Sequence, residues 1–185
     1  DIRPEGEGEL GLASNGAGAT NLIQSFVNRI QLRKRDVVEK EFLPALNEIF
    51  TPDSHFERIL PQKLDNGSWE VFLEEERKGS IALSDSGSGL KTVILVLCFL
   101  ILVPALEGKA DLGNYVFAFE ELENNLHPGL LRRLLQYINN KILQSGSYVF
   151  ITTHSNVVID LFNKNKDAQI LHITHDGEAS SVRPV

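Results

Sequence analysis

The amino-acid sequence predicts an α/β fold, a parallel sheet flanked by helices, preceded by a helical segment and a β-hairpin. Three observations carry this. Two short apolar bursts, "NYVFAFEE" at 114–121 and "SYVFITTHS" at 147–155, each run into polar residues, with an amphipathic stretch between them. Buried parallel strands joined by a crossover helix have this pattern. "KLDNGSWEVFL" sets Asn66-Gly67 between alternating segments, the strongest short-range hairpin signal. Upstream, apolar residues recur at helical spacing.

The opening through Gly18 is polar and glycine-rich and reads as a loop with at most a short strand at 9–13. Leu22, Ile23, Phe26, Val27 and Ile30 share a stripe that predicts a helix over 20–33, with Thr20 as N-cap. Val37, Val38, Phe42, Leu46 and Ile49 predict a second helix over 36–50, which Pro44 should bend or divide. Strands are expected at 56–64, 69–75 and 80–83. A helix over 89–106 holds the apolar run "VILVLCFLILV" at 93–103. That run is shorter than the about 20 apolar residues that span a bilayer, so it reads as a core helix and no membrane partner is expected. Strand 114–121, a helix over 128–144 with Pro128 in its first turn, strand 147–155, a helix over 156–163 and a strand pair around Asp176-Gly177 complete the chain.

With 185 residues, 42% hydrophobic and 23% charged, the composition is that of an ordered globular protein. Lysine and arginine number 18 against 25 acids, a net charge of -7, which excludes a sequence-wide electrostatic footprint for nucleic acid. The densest basic cluster, "RIQLRKRDVVEK" at 29–40, reads as a solvated helix face. A single cysteine, Cys98, excludes an intramolecular disulfide and points to a reducing, cytoplasmic compartment. "DIRPEGEGEL" lacks the apolar core of a signal peptide. There is no methionine, from which a piece of a longer protein is expected.

The chemistry gathers at strand ends. Glu120 and Glu121 close the first apolar burst, where open α/β sheets place ligands. Adjacent carboxylates there are costly unless a cation or protons meet them, so a divalent cation is expected. The second burst ends in Thr152, Thr153, His154 and Ser155. If the two strands are neighbours, His154 stands near Glu121, and a carboxylate that polarises water beside an imidazole that contacts a phosphate oxygen forms a hydrolytic pair. "LSDSGSGLKT" at 83–92 leads a helix with hydroxyls and exposed N–H groups, an anion site by composition, although Leu90 before Lys91 departs from a phosphate-loop pattern. His127 reads as structural, orienting the loop before a helix, and His55, His172 and His175 lack metal-ligand spacing. "ASNGAGATNLIQSF" at 13–26 nearly matches G-x-x-x-x-G-K-[ST], yet Ala19 stands at the lysine position and Ala13 at the leading glycine, and no apolar strand precedes it. It reads as a turn into a helix.

In their order, the serine–glycine stretch, the strand ending in Glu120-Glu121, "LENNLHP" and the strand ending in "TTHS" resemble the C-terminal half of an ABC-type ATPase head. Among such heads the sequence is most similar to the SMC-like and OLD-like ATPases, known as AAA_21 or AAA15 ATP-binding proteins. The resemblance covers 83–174. It implies a P-loop NTPase-like fold in which 84–185 is the C-terminal lobe, 1–83 a helical segment and hairpin preceding the signature, and the N-terminal P-loop lobe lies outside this chain, upstream. It implies ATP and Mg²⁺ as cofactors. Glu120 takes the Walker B position that helps hold Mg²⁺, Glu121 that of the general base, and His154 that of the switch histidine at the γ-phosphate. Glu123, Asn124 and Asn125 fall in the loop along the dimer interface. Ser84, Ser86, Gly87, Ser88 and Gly89 match the signature loop, which reaches ATP held mainly by the other subunit. Glu120 stands where the family has aspartate, and "LSDSGSG" is only loosely like LSGGQ. The stretch 13–26 resembles a glycine- and asparagine-containing segment upstream of the signature. The implied function is ATP hydrolysis by a homodimer closed around ATP, in DNA repair or anti-phage defence, with a nuclease or DNA as further partner. This chain alone is expected to hydrolyse little or nothing. The alternatives are a non-catalytic regulatory or scaffolding module and, behind it, a metal-dependent nuclease centred on Glu120, Glu121 and Glu123.

Overall fold

A computed structural model of the chain describes residues 1–185 other than Glu9, Gln31, Arg33, Arg77, Ala110, Asp111, Asp176 and Glu178. The segments around Asn66-Gly67 form an antiparallel sheet in the order β1 (Phe56–Lys63), β2 (Trp69–Glu75), β3 (Gly79–Ala82). Gly67, at φ 82, supplies the left-handed residue of the turn, and the Leu64 N–H donates to Ser68 O at 2.7 Å across it. This is a hairpin loop with glycine in the left-handed position. All three strands lie within a residue of their expected bounds.

Helix α1 (Ala19–Asn28) packs on this sheet and is buried from Ala19 to Phe26. Thr20 does not cap it: Gly18 holds the cap position, and the Thr20 hydroxyl donates to Arg3 O at 2.9 Å. The Glu5 carboxylate takes over the capping role, accepting the Gly18 N–H at 2.6 Å and the Asn21 N–H at 3.2 Å. A carboxylate there meets both the helix dipole and the orphaned N–H groups. Glu5 is itself fixed by paired backbone hydrogen bonds to Trp69 in β2. Gly18, at φ 90, comes so close to Gly11 that a Cβ would lie 1.8 Å from its carbonyl oxygen. Residues 10–13 form no strand, and Glu9 lies outside the described residues. The helix ends earlier than its apolar stripe suggests, leaving Ile30 83% exposed, while Gln31 and Arg33 lie outside the described residues.

Helix α2, residues 35–50, runs through Arg35–Val37, a π turn at Val38–Phe42 and Leu43–Phe50. Helix α3 (Ser88–Leu106) has the same plan, with a π turn at Cys98–Leu102. Each π turn directly precedes a proline-bearing segment, at Pro44 and Pro104. Proline lacks an N–H and its ring presses on the carbonyl four residues back. The extra residue of a π turn relieves both, so Pro44 interrupts the α geometry without ending the helix. At 19 residues and mean hydropathy 2.5, α3 is long and apolar enough by length and composition to cross a membrane, and it exceeds the apolar run alone. Its Val93, Leu97, Leu100 and Leu102 are instead buried against the rest of the protein. The Lys34 ammonium donates to the carbonyls of Ala105 and Leu106 at its C-terminal end. Arg35 pairs with Glu39 and Lys40 with Asp36 one turn apart, so these charges of the basic cluster 29–40 are engaged within the fold.

Strands β4 (Val116–Glu120) and β5 (Tyr148–Thr152) form a parallel pair joined by α4 (Pro128–Ser145), and α5 (Asn156–Phe162) follows. An antiparallel pair, β6 (Leu171–His175) and β7 (Ser180–Pro184), ends the chain, turning at Gly177; Asp176 lies outside the described residues. One apolar cluster runs from Ile2 to Val158 and draws on residues both before and after position 83. Phe117, Phe119, Val149 and Ile151 pack into it. The opposite face of the pair is bare: Val116, Tyr148 and Phe150 are 65%, 69% and 63% exposed. The protein thus covers one face of a sheet expected to be flanked on both.

Replacing Gly18 by alanine sets a left-handed backbone and a carbonyl against a methyl group. Gly18→Ala is expected to lower stability by about 3 kcal/mol, and Glu5→Ala, which removes a cap, by about 1–2 kcal/mol. Urea unfolding midpoints check both the size and the order of these effects.

Candidate functional site

The parallel register pairs Glu120 with Thr152, so both strands end side by side. Beyond the pair, the Glu121 N–H donates to Thr152 O at 3.0 Å, and Glu121 turns left-handed at φ 45, ψ 50. It is the one non-glycine residue with positive φ among the described residues. That turn ends the strand and opens a 3-10 turn, Leu122–Asn125, whose Leu122 is buried. Residues three apart eclipse in such a turn, and Asn124 accordingly donates its amide to Glu121 Oε2 at 2.7 Å. The other oxygen, Oε1, lies 3.5 Å from His154 Nε2.

The His154 side chain is 90% exposed, and the segment around it is fastened from below. Glu123 Oε1 accepts the Thr153 hydroxyl at 2.7 Å and the His154 N–H at 2.7 Å. The Thr153 hydroxyl accepts the Ser155 N–H at 3.0 Å, and the Ser155 hydroxyl caps α5 through Val157 N–H at 3.2 Å. Burial pushes the Glu123 carboxyl up, but hydrogen bonds from Thr153 and from the backbone of Glu123, His154 and Ser155 outweigh it and hold the group below its ordinary value. Glu123 Oε2 is buried with no hydrogen-bond partner.

Glu120 is exposed on the bare face of the sheet, in line with Val116 and Ala118. Among the described residues no group of three or more His, Cys, Asp or Glu converges on one point. Glu120, exposed at the strand end, is a carboxylate of the kind that would hold a Mg²⁺ ion together with a bound phosphate. In the serine–glycine loop, the Ser84 N–H points to Glu70 Oε1 at 3.4 Å and the Ser86 hydroxyl donates to Leu83 O at 2.7 Å. Gly87 caps α3 from an extended backbone. Ser88 and Gly89 begin that helix, and their N–H groups have no acceptor among the described residues. Gly89 lies against the turn after Glu121, where a Cβ would stand 3.0 Å from Asn125 O.

Glu120, Glu121, Glu123, Asn124 and His154 therefore lie at one sheet end, and Ser84, Ser86 and Gly87 form the loop into α3, which Ser88 and Gly89 begin. His127 has the structural role expected of it, its Nδ1 accepting the Gly129 N–H at the start of α4. Sequence reasoning missed that Asn124 and Glu123 turn inward, one to Glu121 and the other to the His154 segment. The spacing of Glu121 and Asn124 was the available signal for the first.

The crossover-linked parallel strands and the helices packed on them have the fold of SMC ATPase heads, the P-loop NTPase-like class. A family model described as "AAA domain, putative AbiEii toxin, Type IV TA system", AAA_21, matches residues 14–160, and the chain belongs to this family. Forty-five chains of solved structures match. One, from work on ATP-driven dimerization and DNA stimulated activation of SMC ATPases, is 15% identical with a TM-score of 0.60, over 84% of this chain and 88% of that one. An SmcHead bound to the C-winged helix domain of ScpA is 12% identical with a TM-score of 0.61, over 91% of this chain and 48% of that one. The Smc head domain of Pyrococcus furiosus, with an extended coiled coil and the C-terminal domain of ScpA, is 14% identical with a TM-score of 0.59, over 83% and 36%. The chain thus spans less than half the length of the latter two. No curated protein sequence matches it.

The left-handed Glu121 makes a separable prediction. Glu121→Gly is expected to leave stability unchanged or raise it by up to about 1 kcal/mol, whereas β-branched Glu121→Val lowers it by about 2 kcal/mol. Thermal and urea unfolding of the two variants side by side check this.

Proposed function

We propose that this chain is the C-terminal lobe of a head that hydrolyses ATP and dimerises on nucleotide, with 84–185 carrying the chemistry and 1–83 packed before it. The observation that carries the reading is Glu121: its carboxylate is held by Asn124, its free oxygen faces His154 at 3.5 Å, and it stands one residue beyond Glu120 at the end of a parallel strand. In that position Glu121 is the general base that takes a proton from the attacking water. His154, exposed and reaching outward, contacts the γ-phosphate. Glu120 is the Walker B carboxylate on the Mg²⁺ side, and Glu123 and Asn124 stand in the loop at the dimer interface. A Mg²⁺ ion held there would supply positive charge to the phosphate oxygens. Ser84, Ser86, Gly87, Ser88 and Gly89 form the signature loop, whose free N–H groups at the start of α3 suit the anionic nucleotide of the other subunit.

The P-loop belongs to a second lobe of the same protein. Support for this lies in the bare face of β4–β5, where Val116, Tyr148 and Phe150 form an apolar surface on a sheet type that is ordinarily covered on both sides. The work on SMC ATPases that includes one similar structure concerns ATP-driven dimerization and DNA stimulated activation. A homodimer closed around ATP, acting with DNA or a nuclease in repair or anti-phage defence, extends that behaviour to this protein. A reducing cytoplasm agrees with the lone Cys98, whose thiol is pushed up by complete burial.

In the protein carrying both lobes, Glu121→Gln is expected to cut ATP turnover by at least about 100-fold while nucleotide binding persists. Unchanged turnover would overturn the assignment of the base. The 185-residue chain alone is expected to show no measurable turnover; activity there that Glu121→Gln abolishes would overturn the placement of the P-loop elsewhere. Tyr148→Ser with Phe150→Ser should shift the stability of this chain by no more than about 1 kcal/mol, and should weaken its capture by the separately expressed P-loop lobe.

A further inference from the structure

We propose that Glu123 is a positioning residue for His154, a carboxylate that ties the histidine segment to the turn carrying the general base. This rests on the roles given above to Glu121 and His154. A single oxygen, Glu123 Oε1, accepts both the Thr153 hydroxyl and the His154 N–H, each at 2.7 Å. The Thr153 hydroxyl in turn accepts the Ser155 N–H at 3.0 Å, so three successive residues are referred to one carboxylate oxygen. The imidazole itself has little else to hold it: it is 90% exposed, and its contact is with Glu121 at 3.5 Å.

The 3-10 turn Leu122–Asn125 therefore grips both members of the pair. Asn124 fixes the Glu121 carboxylate, and Glu123 fixes the backbone from which His154 projects. The second oxygen points the same way. Glu123 Oε2 is buried without a donor, a costly arrangement for a carboxylate, while Oε1 takes the bonds from Thr153 and His154. Charge-assisted bonds from two donors to one oxygen are shorter and stiffer than neutral ones, which suits a group that must hold a neighbouring backbone to within a few tenths of an ångström.

The test is a double-mutant cycle in the protein carrying both lobes. Glu123→Ala and His154→Ala are each expected to lower kcat by about tenfold or more with KM for ATP unchanged, and the double variant to be no slower than His154→Ala alone. Glu123→Gln, whose carbonyl oxygen can accept both bonds, should recover most of kcat. Amide hydrogen exchange at His154 should quicken by about tenfold in Glu123→Ala and stay slow in Glu123→Gln. Multiplicative losses in the double variant, or His154 exchange that ignores Glu123→Ala, would overturn the proposal. Glu121→Gln is measured beside them: if it leaves turnover intact, the reading of the base fails, and the exchange data still decide whether Glu123 anchors the segment. Should Glu123→Ala fold poorly, Thr153→Val removes one of the two donors, and an unchanged His154 exchange rate in that variant counts against the proposal.

Discussion

The parallel pairing of β4 with β5 is the constraint on which the site depends. Val116 to Glu120 lie opposite Tyr148 to Thr152, and the ladder is carried one step further by the Glu121 N–H to Thr152 O. A slip of one residue would carry His154 about 3.3 Å along the strand and exchange the two faces of β5. Neither the Glu123 bonds nor the contact between Glu121 and His154 would survive it. Glu121 leaves the ladder through a left-handed conformation that costs about 1–2 kcal/mol for a residue with a Cβ, and Asn124 holds it there with both its backbone and its side chain. Strain kept in place by two hydrogen bonds, at the group best placed for chemistry, fits a site whose geometry is imposed by its surroundings.

What holds the pairing itself is one-sided. Phe117, Phe119, Val149 and Ile151 join the apolar cluster that α3 runs through, and the two π turns let proline-bearing helices pass through that cluster without breaking. The other face offers Val116, Tyr148 and Phe150 to solvent, and Glu120, two residues on from Ala118, stands on the same side. Glu120 and the uncovered apolar surface therefore share a face. Whatever covers that surface also sets the surroundings of Glu120, so packing and chemistry at this edge are one problem.

Much of this was legible in sequence because short-range physics dictated it. Alternation around Asn66-Gly67, the two apolar bursts ending in polar residues, and the 3.6-residue stripe of α2 each determine their own element. The neighbouring of Glu121 and His154 followed from a single topological step, placing the two bursts side by side. What escaped was set by contacts distant in sequence or by the turn after the strand. Thr20 looked like a cap until Glu5, fixed on β2, reached the same N–H groups first. Pro44, expected to bend or divide its helix, does interrupt the α geometry, but through a π turn that propensity has no means of foreseeing. The contacts of Glu123 with the His154 segment and of Asn124 with Glu121 were set by the compact 3-10 turn, which no short-range pattern announces.

Two glycine-rich stretches lead into helices in this chain, and their electrostatics are opposite. At the start of α1, the stretch that imitates a phosphate loop, the N–H groups of Gly18 and Asn21 already point at the Glu5 carboxylate. A phosphate there would have to displace a negative group of the protein itself, and Gly18, pressed against the Gly11 carbonyl, leaves the backbone no freedom to open. At the start of α3, Ser88 and Gly89 have no acceptor among the described residues, and the helix behind them is 19 residues long. An anion would find unpaired donors and an uncompensated dipole at that end alone. Glycine content is similar in the two stretches; what separates them is that the Glu5 carboxylate sits on the first N–H groups of α1, whereas Glu70 reaches only the Ser84 N–H, ahead of α3.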